Sequence, residues 1–92
     1  MDTEKRYKLE FTEKAMKQLH KLDKKKFMLI MNWLAKNLEN CENPRLHGRA
    51  LVGNHAGKWR YRIGDYRLLA KIDDDRIVIL ILEAGHRKEI YE

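Results

Sequence analysis

Residues 7–11 alternate strictly between apolar or aromatic and charged side chains. Tyr7, Leu9 and Phe11 are separated by Lys8 and Glu10. Successive side chains of a β-strand project to opposite faces, so this period of two predicts a strand with one face buried and the other in water. The first element of the fold is therefore predicted to be a half-buried strand.

Two helical segments follow this strand. Thr12 stands where an N-cap is expected, and Asp23 has the same position ahead of a second and longer segment. Apolar residues then recur at helical spacing: Ala15, Met16, Leu19 and Leu22 in the first segment, and Phe27, Ile30, Met31, Leu34 and Leu38 in the second. Asn40 and Pro44 end the second stripe, so the pattern predicts a helical hairpin.

The period of two returns in the second half of the chain. Residues 44–57 (PRLHGRALVGNHAG) are interpreted as a loop, and residues 58–63 alternate again, with an aromatic or apolar residue at every second position. Gly64 and Asp65 form a two-residue hairpin turn. Residues 66–72 are the predicted return strand.

A third strand completes the predicted sheet. Residues 73–75 are three aspartates that favour a tight turn. Ile77–Leu82 is apolar on both faces and is expected to be a central strand that ends at Ala84 and Gly85. The predicted fold class is α+β: a strand, two helices and three antiparallel strands, with the helical hairpin packed on one face of a twisted sheet and the other face open. A chain of 92 residues forms one domain, residues 1–92.

Cysteine usage and hydropathy bear on the compartment. Cys41 is the single cysteine, so the chain forms no internal disulfide. The first ten residues are mostly polar, unlike a signal peptide, and the longest apolar run is far too short to span a bilayer. A cytoplasmic protein without a membrane association is expected.

The positive charge is concentrated in one stretch of the sequence. Lys and Arg outnumber Asp and Glu by 20 to 14 over the chain. Between Pro44 and Ile72 there is one acid, Asp65, and seven bases: Arg45, Arg49, Lys58, Arg60, Arg62, Arg67 and Lys71. The rest of the chain is neutral. A strand-rich segment of this charge is typical of a surface that binds a polyanion, most often nucleic acid.

Strand alternation sorts these bases by face. If Trp59, Tyr61 and Ile63 face the helices, the open face carries Arg60, Arg62, Arg67 and Lys71. Arg45, Arg49, Lys58 and Lys71 are predicted to contact RNA more generally. The alternative is a basic face that is merely solvated.

The sequence contains few other elements of catalytic chemistry. It has no phosphate-binding glycine loop, no paired carboxylates and no Ser-His-Asp order, and His47 and His55 lack the spacing of zinc ligands. Neither a metal nor a cofactor is expected. Basic groups on a rigid sheet suit RNA cleavage by the ribose 2′-hydroxyl, in which the substrate supplies the nucleophile and the protein stabilises the phosphorane. In the tail, Arg87 is expected at the sheet rim, and Tyr91 offers a ring for stacking on a base.

Two runs of the sequence resemble a known family. The run WRYRIGDYRLLAKI, an acidic turn, and the run IVILILEAGHRKEIY are similar to the RelE/ParE superfamily of toxins, and within it to the RelE branch. The resemblance covers nearly the whole chain, including the Leu-x-Gly loop. It implies the toxin of a type II toxin–antitoxin system that enters the ribosomal A site and cleaves mRNA there, leaving a 2′,3′-cyclic phosphate without a metal ion.

The resemblance also assigns roles to five residues. Arg60 and Arg62 fall where the family has basic residues for proton transfer and transition-state stabilisation. Arg67 matches a phosphate contact, Arg87 a group near the leaving 5′-oxygen, and Tyr91 the C-terminal tyrosine that orients the substrate.

The chain departs from the family pattern at the position of the base. Some relatives have lysines where this chain has Arg60 and Arg62, and arginine does not lose its proton. His86 is therefore a candidate acid or base.

Two alternatives remain at the level of the sequence: a ParE-like inhibitor of DNA gyrase, and a nucleic-acid-binding module without catalysis. The resemblance also implies an acidic, RelB-like antitoxin as partner, together with the ribosome and its A-site mRNA.

Overall fold

The structure, a computed structural model, describes residues 5–88. Along the chain the elements are β1 (Lys8–Phe11), α1 (Glu13–His20), α2 (Lys24–Asn37), β2 (Arg49–Ala50), a short 3₁₀ helix (Gly53–His55), β3 (Trp59–Ile63), β4 (Tyr66–Asp73) and β5 (Val78–His86). The predicted α+β order of strand, helical pair and three antiparallel strands is confirmed. No helix among these residues is long and apolar enough to cross a membrane.

Both helices begin at the residues that the sequence marks as caps. Thr12 Oγ1 accepts a hydrogen bond from the backbone N–H of Ala15 at 3.0 Å, and Asp23 Oδ1 accepts one from Lys26 at 2.9 Å. Each bond satisfies an amide that has no partner within its own helix. Thr12 also donates to the carbonyl of Leu82 at 2.9 Å, which fastens the start of α1 to β5.

The five strands form one mixed sheet in the order β1-β5-β4-β3-β2. β1 runs parallel to β5, and all other neighbours are antiparallel. The parallel pair is possible because the two helices carry the chain from one edge of the sheet to the other. β5 is thereby a central strand with a neighbour on each edge, as predicted.

Apart from shifts of one residue at strand ends, the structure differs from the sequence prediction in two places. The predicted loop at 44–57 contains the edge strand β2, whose two residues pair with β3. The expected end of the last strand at Ala84 and Gly85 was also wrong, since β5 continues to His86 in register with Tyr66. The pairing partner on β4 outweighs the weak strand propensity of glycine.

The core lies between the helices and one face of the sheet. The largest fully buried side chains are Leu19, Ile30, Leu34, Leu38, Tyr61, Leu68, Ile79 and Ile81. Tyr61 is polar at its tip, and its hydroxyl donates to the carbonyl of Pro44 at 2.6 Å. Burial raises the pKa of Tyr61, so the hydroxyl stays protonated as a donor.

Candidate active site

Strand register gathers three of the predicted arginines on the face turned away from the helices. Arg62 pairs with Arg67, which in turn pairs with Gly85, and Arg60 pairs with Arg49 on one side and Leu69 on the other. Directly opposed residues of neighbouring strands project to the same face. β2 thus places Arg49, which was predicted as a more general RNA contact, on the same face as these three arginines.

These arginines line a cleft of about 500 Å³. Its walls come from β3, β4, the segment before β2, and the second helix. The lining residues are Trp33, His47, Gly48, Arg49, Arg60, Arg62 and Arg67. The lining thus has four guanidinium groups and no carboxylate, so it is suited to a ligand with several negative charges.

Arg67 is the most enclosed of the four arginines. It retains 7% of its surface exposure, whereas Arg60 is half-buried and Arg62 is exposed. A charged group loses hydration when it is buried, and an anion that enters the cleft would compensate for that loss. Arg67 is therefore the cation of the cleft that water screens least.

Two close contacts hold His47 and Gly48, which form one wall of the cleft, against β3. The indole N–H of Trp59 donates to the carbonyl of His47 at 2.7 Å. Gly48 follows with a φ of 84°, and a Cβ at this position would collide with the carbonyl oxygen of Arg60. Glycine is required here by the left-handed backbone and by the close approach of two chain segments.

The other predicted RNA contacts lie apart from this cleft. Arg45 Nη2 forms an ion pair with Asp74 at 2.9 Å, and its guanidinium lies 6.0 Å from the ring centre of Trp59. Arg45 and Lys58 line a smaller cleft of about 210 Å³. Lys71 is exposed and lies two residues beyond Leu69 and four beyond Arg67, on the same face of β4.

Of the predicted residues near the end of the chain, the structure describes His86 and Arg87. His86 pairs with Tyr66, which pairs with Ile63, so His86 belongs to the face opposite Arg67 and Gly85. Its Nδ1 accepts a hydrogen bond from the amide of Lys88 at 3.2 Å. Arg87 follows β5, and its amide donates to the carbonyl of Asp65 at 2.7 Å, beside the β3–β4 turn. Tyr91 lies outside the described residues.

Three residues of the cleft lining, Trp33, His47 and Gly48, were not predicted as site residues. Trp33 stands outside the apolar stripe of α2, and a large aromatic residue off the stripe was the available signal. His47 was considered only as a zinc ligand. Among residues 5–88 there is no group of three or more His, Cys, Asp or Glu side chains placed to hold a metal ion.

Comparison with known proteins identifies the class to which this fold and cleft belong. Residues 9–91 match the family model described as the ParE toxin of the type II toxin–antitoxin system parDE. The chain is thus a toxin of the type II toxin–antitoxin class. It belongs to the RelE/ParE superfamily, as the resemblance in the sequence predicted.

Relatives and solved structures agree with this assignment. The chain is 34% identical to the toxin RelG of Mycobacterium tuberculosis over 85 residues, which are 92% of this chain and 95% of that protein. It is 32% identical to the mRNA interferase toxin RelE of Escherichia coli K12 over 89 residues, 92% and 90% of the two chains.

Among solved structures, a chain of the toxin–antitoxin complex RelBE2 from M. tuberculosis superposes with a TM-score of 0.82 at 31% identity, covering 97% of this chain and all of that one. The isolated E. coli RelE toxin gives a TM-score of 0.70 at 26% identity, with coverages of 87% and 83%. The predicted RelE-like fold is confirmed.

Proposed function

We propose that this toxin is a ribosome-dependent mRNA endonuclease that cleaves the codon in the ribosomal A site. The observation that carries the proposal is the cleft lined by Arg49, Arg60, Arg62 and Arg67, with Arg67 almost completely enclosed. The name of the E. coli relative, mRNA interferase toxin RelE, supports a ribonuclease activity in this family.

The chemistry assigned to the cleft is attack by a ribose 2′-hydroxyl on the adjacent phosphate. The P–O2′ bond forms, the P–O5′ bond breaks, and the products are a 2′,3′-cyclic phosphate and a 5′-hydroxyl. Charge builds on the non-bridging oxygens of the phosphorane, where Arg60, Arg62 and Arg67 would stabilise it. Because the groups are held on a sheet, little reorganisation is needed at the moment of reaction.

The remaining predicted residues have supporting roles in this proposal. Arg87 would stabilise the leaving 5′-oxygen, and Tyr91 would stack on a base of the codon. Arg45, Lys58 and Lys71 would contact RNA outside the cleft, and Arg49 would hold a phosphate at its edge.

An acidic, RelB-like antitoxin is the proposed partner in the resting cell. Several solved relatives are complexes of RelE with RelB, including the intact E. coli complex and an archaeal complex from Pyrococcus horikoshii. Carboxylates of an antitoxin would complement the arginine cleft and exclude RNA from it.

Induction of the toxin in growing cells tests the proposal. We expect translation to stop and mRNA to be cut within codons of translated reading frames. Arg67→Ala, Arg87→Ala and Tyr91→Ala should each reduce cleavage, by about 10²-fold or more where a transition-state contact is lost. Arg76→Ala removes the same charge from an exposed turn residue outside the cleft and should cleave like wild type. Full growth arrest in all three site variants would refute the assignment.

Inhibition of DNA gyrase is the second candidate, because the matching family model is described as ParE toxin. The same induction separates the two functions. Intact mRNA together with a DNA-damage response would support gyrase inhibition and exclude the endonuclease.

A further inference from the structure

The proposed reaction needs a group that accepts a proton, and the arginines of the cleft are unsuited to this task. Removal of the 2′-hydroxyl proton makes the oxygen a nucleophile. Arginine stays protonated at every pH at which proteins are folded, so it stabilises charge but is a poor base. The cleft lining contains one side chain that can take up a proton near neutral pH, the imidazole of His47.

We infer that His47 is the general base of this site. The inference rests on the proposed function and adds a residue to it. His47 shares the cleft with Arg60, Arg62 and Arg67, the groups that would hold the scissile phosphate. The 2′-hydroxyl is on the ribose carbon next to the one whose oxygen carries that phosphate, so a base must stand beside the phosphate-binding groups.

The backbone and an aromatic neighbour hold His47 in place. Its carbonyl accepts the indole N–H of Trp59 at 2.7 Å, and Gly48 brings the next peptide against β3. The ring of Trp33 lies with its centre 5.5 Å from the imidazole in an edge-on contact. Trp33 itself packs on the buried Tyr61, with the two ring centres 5.8 Å apart, and this contact anchors the wall to the core.

The ring nitrogens of His47 are available for proton transfer. His47 is half-buried, and its imidazole makes no hydrogen bond with any residue between 5 and 88. All charged side chains of the lining are cations: Arg49 from β2, Arg60 and Arg62 from β3, and Arg67 from β4. Trp33, the contribution of α2, is uncharged, so the lining offers no carboxylate partner to an imidazolium.

His86, the imidazole favoured by the sequence, has a different setting. It belongs to the face of Tyr66, whose ring contacts it at 5.6 Å. Its Nδ1 already accepts the amide of Lys88. Of these two histidines, His47 is the one placed among the arginines.

Neutral His47 takes the proton of the 2′-hydroxyl while the 2′-oxygen bonds to phosphorus. The 5′-oxygen leaves with the electron pair of the P–O5′ bond and takes a proton from water. The imidazolium then returns its proton to the hydroxide so formed, which leaves the histidine neutral for the next turnover.

Single-turnover cleavage of mRNA on purified ribosomes, with a defined codon in the A site, tests the inference. We expect His47→Gln to reduce the cleavage rate by about 10²- to 10⁴-fold, the usual contribution of a general base. Binding of the variant to the ribosome should stay within about twofold of wild type, since the imidazole contributes little charge to phosphate binding. His55→Gln, the same change in the same segment but outside the cleft lining, is the matched control.

Two further readouts separate catalysis from a packing role. A pH dependence of the wild-type cleavage rate that is absent in His47→Gln would mark the imidazole as the group that takes up the proton. Added imidazole should partly restore cleavage by His47→Ala and leave His55→Ala unchanged. A substrate with sulfur at the 5′-bridging position needs no leaving-group proton, so His47→Gln should remain slow on it.

The outcomes distinguish failure of the base assignment from failure of the proposed endonuclease function. If wild type cleaves but His47→Gln has the same rate and pH profile, the base assignment fails and the endonuclease stands. Full recovery of His47→Gln on the sulfur substrate also overturns it, because the histidine would then act as an acid. If wild type does not cleave ribosome-bound mRNA, the proposed function and this inference fall together.

Discussion

At the scale of single residues, Asp74 joins three distant parts of the chain. Its Oδ1 accepts hydrogen bonds from the hydroxyl of Tyr7 at 2.7 Å and from Arg45 Nη1 at 3.1 Å. Its Oδ2 accepts Arg45 Nη2 at 2.9 Å. The hydrogen bonds from Arg45, and next those from Tyr7, lower the pKa of Asp74. A turn residue thereby ties the chain before β1 to the segment that leads to the cleft.

Asp74→Asn should destabilise the fold at neutral pH and much less in acid. A carboxyl whose pKa is lower in the folded than in the unfolded chain stabilises the fold at pH values above its unfolded pKa of about 3.9. This contribution is lost as the pH falls through the folded-state pKa. Because both partners are partly exposed, we expect about 1 kcal/mol or less at pH 7. Urea unfolding at pH 7 and pH 3 measures it.

The neighbouring Asp75 provides a matched control for this experiment. Its carboxylate makes no hydrogen bond or ion pair with any residue from 5 to 88, so Asp75→Asn removes the same charge without the network. An equal effect of both substitutions, or an undiminished effect of Asp74→Asn at pH 3, would contradict the explanation.

At the scale of elements, the segment between α2 and β3 builds one wall of the cleft. It is fastened to β3 by the hydroxyl of Tyr61 on the carbonyl of Pro44, by the indole of Trp59 on the carbonyl of His47, and by the pairing of β2. These contacts hold a largely irregular segment against β3, the strand that carries Arg60 and Arg62. The position of His47 therefore depends on β3 more than on its own sequence neighbours.

Gly48→Ala tests how closely the segment between α2 and β3 packs against β3. Gly48 and Gly57 both have a positive φ, 84° and 90°, but a Cβ at Gly57 would meet no atom within 4 Å. Gly57→Ala should therefore cost about 1 kcal/mol, from the backbone conformation alone. Gly48→Ala should cost about 1–3 kcal/mol more, because the added methyl group forces β3 and the segment apart. Thermal and urea unfolding of the two variants measures the difference, and equal losses would show that the close approach is unimportant.

At the scale of the whole molecule, the two faces of the sheet differ in charge. The helical hairpin covers one face of the sheet with apolar side chains, and the basic stretch from 44 to 72 supplies the arginines of the other face and all of the cleft lining except Trp33. The chain carries a formal net charge of +6, and the rest of the sequence is balanced. Such an asymmetry accelerates the approach of a polyanion and orients it towards one face.

The salt dependence of RNA affinity measures how many phosphate contacts the basic face makes. Affinity for a single-stranded RNA oligonucleotide should fall linearly with salt on a log–log scale, and Lys71→Gln should reduce the slope by about 0.7, the value for one phosphate contact. Lys25→Gln, which removes the same charge from the exposed start of α2, should leave the slope unchanged. If both variants change the slope equally, RNA follows the net charge of the protein and has no preferred face.

Sequence patterns predicted the structure correctly where a pattern is compatible with only one local conformation. The alternation around Trp59 and Tyr61 sorted the bases by face because a strand has a period of two, and the caps Thr12 and Asp23 located the helix starts because few residues can satisfy those amides. The extension of β5 past Gly85 was missed, since the pairing partner on β4 decides it and glycine by itself argues against a strand.

The sequence by itself determined the fold class, the family and the arginine face, because each of these depends on short-range periodicity or on motifs of adjacent residues. Only the tertiary structure decided which imidazole joins the arginines. His86 lies close to the predicted motif along the chain, yet strand register puts it on the opposite face, whereas His47 comes from an irregular segment that β3 holds in the cleft. Contacts between residues far apart in sequence set this choice, and no local pattern encodes them.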